Sequence, residues 1–123
     1  MAAEDWSENV YIVHMPDDPA FSDEMESLIR QSGEDPRHAV LDLAAVTFLN
    51  SSNLSQLIRL RQALGPTTCR LVLAAVRPEV WSAFKVAGLD KLFSVSESVP
   101  LALAGLQAAA QHAFADRRNG QIR

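Results

Sequence analysis

Apolar runs of strand length take turns with segments of helical periodicity along this chain, and that alternation restricts its fold more than any other feature. Val10 to Met15 is a β-branched, apolar run closed by the turn Pro16, Asp17, Asp18, Pro19. Ser22 then reads as a helix N-cap: Asp23 and Glu24 suit the positive end of the dipole, and Met25, Leu28 and Ile29 recur at helical spacing until Gly33. Ala39 to Leu43 is the next strand, with Val46 to Leu49 extending the run, as expected of a sheet covered on both sides. A helix with the buried stripe Leu54, Leu57, Ile58, Leu60 and Leu64 follows, and Gly65 with Pro66 ends it. Arg70 to Val76 is a third strand, and Pro78 opens a helix that packs Val80, Ala83, Phe84 and Ala87 inward and stops at Gly88. Leu92 to Val95 is a short last strand, and Ser98 caps a final helix carrying Val99, Leu103, Leu106, Ala110 and Phe114 on one face. This order implies an α/β fold, a mostly parallel sheet of about four to five strands with about four to five helices, joined by right-handed crossovers.

A chain of 123 residues has room for one compact core, expected over residues 1–115, with a loose polar tail over 116–123. Its 48% hydrophobic and 21% charged residues exclude a disordered chain, which could not bury enough apolar surface to offset ordering. The longest apolar stretches, such as Leu71 to Val76, fall far short of the roughly 20 residues needed to span a bilayer. Residues 1–10 carry Glu4, Asp5 and Glu8 where a secretory signal needs a basic start and an apolar run, so a cytoplasmic protein is expected. A single cysteine, Cys69, has no internal disulfide partner and is read as a small core residue. The net charge of −4 divides unevenly: residues 1–35 sum to −9 and residues 36–123 to +5, a separation that either steers an acidic partner toward the C-terminal half or is a solvated face without function. No basic run with interleaved aromatics points to nucleic acid.

Several chemistries lack their residues. A nucleotide enzyme of this class carries a glycine-rich loop after the first strand so that backbone amides approach phosphate, whereas the loop from Pro16 to Phe21 has two aspartates and no glycine. His14, His38 and His112 are dispersed, so no metal site and no cofactor are expected. A phospho-receiver would need a cluster of acids at the end of the first strand and an aspartate at the end of the third; Asp17 and Asp18 suit that reading, but the strand ending near Leu49 offers Asn50 instead.

The turn Asn50, Ser51, Ser52, Asn53 is the most informative local feature. Asn and Ser are favoured N-caps, and Asn53 with Gln56 has the spacing of a capping-box variant. Ser51, Ser55 and Arg59 are spaced by four and line one exposed row running from the turn. That row is the expected partner surface, with Arg59 either solvated or facing an acidic partner. Trp81, at the edge of the next helix's buried face, is read as partial core or interface anchor.

Over Ala39 to Leu106 the chain resembles the STAS domain, named for sulfate transporters and anti-sigma factor antagonists. The family's strand of the type LDL..V.F entering a turn of the type Asp, Ser, Ser or Thr, Gly, Leu is matched by Leu41, Asp42, Leu43, Ala44, Ala45, Val46, Thr47, Phe48, Leu49, Asn50, Ser51, Ser52, Asn53, Leu54. Arg70 to Leu73, Arg77 to Val80 and, most specifically, Ala87, Gly88, Leu89, Asp90, Lys91, Leu92, Phe93 also match. The resemblance implies a STAS-like fold, leaving open whether an opening hairpin strand precedes Val10. It implies no enzyme but an anti-sigma factor antagonist, which binds an anti-sigma factor kinase and is released by serine phosphorylation. Ser51, with Ser52 next, is the implied phosphorylation site, and Asn50, Ser51, Ser52, Asn53, Ser55, Arg59 and Trp81 are the expected partner-binding set. The alternative is a STAS scaffold or accessory subunit that is never phosphorylated, for example in a lipid transport complex. Two positions depart from the pattern: Asn50 replaces an aspartate and Asn53 a glycine.

Overall fold

A computed structural model describes residues 3–7, 10–65 and 69–107. In chain order the elements are β1 (Ala3–Ser7), β2 (Val10–His14), α1 (Ala20–Glu34), β3 (His38–Asp42), α2 (Ser51–Leu64), β4 (Leu71–Ala74), α3 (Pro78–Val86) and β5 (Ser94–Ser96). A further helix, α4, covers 99–107. The five strands form one sheet in the order β1-β2-β3-β4-β5. β1 pairs antiparallel with β2, and β2 to β5 run parallel. The opening hairpin strand left undecided by the sequence is therefore present.

Strands laid down in sequence order, with crossovers of a single hand, put every crossover helix on the same face. Tyr11, Val13, Met15, Ala39, Leu41, Leu43, Leu71 and Leu73 accordingly face Phe21, Met25 and Leu28 of α1, Leu57, Leu60 and Leu64 of α2, and Val80 and Phe84 of α3. The opposite face offers Val10, Ile12, Val40 and Ala74, covered by Ala102, Leu103 and Leu106 of α4. Burial on both faces is why the strands read as continuous apolar runs. Each fully buried leucine of this core contributes about 1.5–3 kcal/mol.

Several boundaries differ from the sequence expectation. α1 begins at Ala20, two residues ahead of Ser22, because the Asp18 carboxylate reaches forward to accept the Ser22 N–H at 2.8 Å. It runs through Gly33 to Glu34, where Asp35 caps it by donating to the Gln31 carbonyl. β3 stops at Asp42, whose carboxylate accepts the Ala44 N–H at 3.0 Å and turns the chain. Val46 to Leu49 is consequently a loop over the sheet's end rather than more strand, although Val46 and Leu49 still point inward. Ala87 is exposed beyond the last turn of α3. β5 starts at Ser94, since Phe93 is spent packing edge-on against Phe84 at 5.5 Å.

The stop and start signals hold elsewhere. Gly88 takes φ 73°, and its N–H donates to the Lys85 carbonyl while Leu89 N–H donates to that of Phe84, the paired bonds of a glycine-terminated helix. Ser98 Oγ accepts the Leu101 N–H at 3.3 Å as the cap of α4. Cys69 is half-buried against the main core. Ala110, Phe114, the end of the domain at 115 and the tail over 116–123 lie outside the described residues.

Candidate functional site

The C-terminal ends of β2 and β3 bring two loops together beside the start of α2: residues 15–19 and residues 43–50. Asn50 is the N-cap in extended conformation, and its Oδ1 accepts the Asn53 N–H at 2.8 Å. Asn53 answers by accepting the Asn50 N–H on its own Oδ1 at 3.2 Å. The capping box thus joins Asn50 to Asn53, one turn earlier than the Asn53–Gln56 spacing suggests. Ser51 and Ser52 occupy the first two helical positions with exposed side chains. Amides at such positions have no partner within the helix, and the dipole makes the place favourable to anions.

The two aspartates of the first loop tie the turn down. Asp17 accepts from Thr47 twice, from its N–H at 2.8 Å and its hydroxyl at 2.7 Å. Asp18 Oδ1 accepts the Ser22 N–H and hydroxyl, at 2.8 and 2.7 Å, while its Oδ2 accepts from Asn50 Nδ2 at 3.2 Å and Asn53 Nδ2 at 3.1 Å. These donors favour the ionised form: the Thr47 hydroxyl foremost lowers the Asp17 pKa, and the Ser22 hydroxyl foremost lowers that of Asp18.

From Asp18 a polar seam runs between α1 and α2. Asn53 Nδ2 reaches Ser22 Oγ at 3.3 Å, and Gln56 Nε2 donates to the Ser22 carbonyl at 3.1 Å and to Glu26 at 2.9 Å. Arg59 closes the seam with a forked pair to Glu26 at 2.8 and 3.1 Å, which lowers the glutamate's pKa and raises the arginine's. Asp18, Ser22 and Glu26 are spaced by four, and Asn53, Gln56 and Arg59 by three. Two polar rows at helical spacing, one entering α1 from the preceding loop and one on α2, were thus the available signal, visible only when both segments are considered together.

The structure separates the expected partner-binding residues into groups. Asn50, Ser51, Ser52 and Ser55 are exposed along one side of the turn and helix. Asn53 is 1% exposed, because its amide is consumed by the cap and by Asp18, so it shapes the turn from below and is not part of its surface. Arg59 is exposed but engaged by Glu26 within the same chain. Trp81 lies on α3, half-buried and stacked on Phe84 at 5.0 Å. Sequence reasoning missed Phe48, an apolar ring two residues ahead of the cap and 55% exposed.

Among the described residues no group of histidine, cysteine, aspartate or glutamate could hold a metal ion, and no helix is long and apolar enough to cross a membrane. The STAS domain model matches residues 17–102, from the anchoring aspartates through the turn to α4. The chain belongs to the STAS domain family. A STAS-domain containing protein of Pseudomonas aeruginosa is 36% identical over 61 residues, 50% of this chain, and the match spans 60% of that relative's length. An anti-sigma-factor antagonist (STAS) domain protein from Planctomyces limnophilus has a similar structure, with a TM-score of 0.69, 19% identity, and coverage of 80% of this chain and 91% of that one. A variant of Moorella thermoacetica RsbS is similar at a TM-score of 0.69, 20% identity, and coverage of 85% and 93%. A putative anti-sigma factor antagonist from Thermotoga maritima follows at 0.64, 11% identity, and coverage of 82% and 90%. At these identities the solved structures establish a shared fold, which in this STAS chain is four parallel strands with four helices and the antiparallel β1 at one edge of the sheet.

Proposed function

We propose that this STAS chain is a cytoplasmic anti-sigma factor antagonist, a binding module without catalysis of its own that engages an anti-sigma factor kinase through the start of α2. The observation that carries the reading is the exposure of Ser51 and Ser52 at the first two positions of a helix whose cap is built and braced by buried or anchored side chains. Ser51 is the phosphate acceptor in this reading. A phosphate there adds about −1.5 to −2 charges at a helix end that favours anions, so the fold tolerates it. The partner does not, because the added charge must be desolvated or repelled inside the contact formed by Asn50, Ser51, Ser52, Ser55 and the exposed Phe48.

The test uses the purified chain, ATP and a serine kinase of the anti-sigma type from the same organism, with phosphate mapped by mass spectrometry and binding followed by calorimetry. Phosphate at Ser51, and binding weakened at least tenfold by Ser51→Asp, are expected. Binding that is unaffected by Ser51→Asp, with no phosphate at Ser51 or Ser52, would overturn switching and favour a scaffold or accessory role.

A further inference from the structure

Asp18 gathers four donors, and two of them are the side-chain amides of Asn50 and Asn53, the positions at which the turn departs from the family pattern. Each asparagine divides its amide the same way. Its oxygen accepts a backbone N–H of the cap, and its nitrogen donates to the same atom, Asp18 Oδ2. Only an amide side chain of this size can accept with one atom and donate with the other. A carboxylate at position 50 would keep the cap acceptor but set an anionic oxygen where Asn50 Nδ2 now stands, 3.2 Å from Asp18 Oδ2. Two carboxylates that close cannot both ionise freely. A glycine at position 53 would remove one donor to Asp18 and the acceptor for the Asn50 N–H.

We infer that Asp18 is a positioning residue for the Ser51–Ser52 backbone, and that the turn of this chain accommodates one carboxylate, carried by Asp18 on the β2–α1 loop. The two asparagines are then the partners that a carboxylate at 18 requires, and not signs of a turn that has lost its use. The inference deepens the proposed function, since it concerns the serines assigned there, but its test needs no kinase.

The full chain, Asp18→Asn, Asn50→Asp and the double variant Asp18→Asn with Asn50→Asp are compared by thermal unfolding at pH 7 and by amide NMR of Ser51 and Ser52. The double variant restores one carboxylate and one amide with their places exchanged. Each single variant is expected to lower Tm by about 4 °C or more and to move both serine amide resonances. The double is expected to recover part of the combined loss, because an amide nitrogen at 18 can donate to a carboxylate at 50 but meets the Asn53 nitrogen as a second donor, and the resonances are expected to move partway back. An Asn50→Asp protein as stable as the parent, or a double variant no better than the two losses combined, would overturn the inference. Absence of phosphate at Ser51 would count against switching alone and leave this result standing.

Discussion

α2 and α3 start at the same rim of the sheet, each following the C-terminal end of a parallel strand, yet they are held in different ways. α3 begins with Pro78 at its first position and no side-chain cap on Arg77, so covalent geometry sets the backbone angle there. α2 begins with a reciprocal pair of amides braced by a carboxylate 32 residues earlier in the chain. A start that only has to exist can be made by a proline. One whose outer face must stay exposed and fixed at once needs bracing from beneath, and Asn53 supplies it while Ser51 and Ser52 remain in solvent.

The largest break in this contrast is expected from Asn53→Leu, which fits the buried volume but strands the Asn50 N–H and removes a donor from Asp18. A loss of about 2–3 kcal/mol is expected in urea unfolding. Asn50→Ala removes the cap acceptor and should cost about 1 kcal/mol by the same measurement. Pro78→Ala at α3 should cost about 0.5 kcal/mol, since only the loss of preset geometry in the unfolded chain is involved. If Pro78→Ala proves the costlier of the last two, the contrast between the helix starts fails.

The smallest effect is expected from acid. Asp18 is held below its ordinary value of 3.8 in the folded chain, so the unfolded chain takes up protons first as pH falls. Its contribution is complete above about pH 4–5 and is lost as pH drops through the folded pKa. Asp17 and Glu26 act in the same direction, and solvent screens all three. Comparing stability from pH 6 to pH 3, Asp18→Asn should show a shallower decline than the parent.

What the sequence made legible follows the range of the interactions involved. The order of strands and helices, the stop at Gly88, the cap at Ser98 and the exposed row of Ser51 and Ser55 depend on residues within about a turn of one another, and periodicity exposes these. Asn53 belongs to the expected partner-binding set only as a member of the turn; Asp18, 35 residues away, turns it inward. The same carboxylate draws the start of α1 forward from Ser22, and Asp42 ends β3 where the apolar pattern alone would carry it onward. The sequence leaves Arg59 either solvated or facing an acidic partner, whereas Glu26 of α1 occupies it within the chain. Asn53 and Arg59 find their partners on another segment, which single-segment patterns do not record, while Asp18 and Asp42 act on backbone within four residues through bonds that apolar periodicity does not show.

β5 contains three residues and closes one side of the sheet. So short a border offers few main-chain groups for a foreign strand to copy, which protects against edge-to-edge aggregation. Under the proposed partner switching, a border that cannot be zipped onto a neighbour leaves each encounter to side chains, whose grip is reversible.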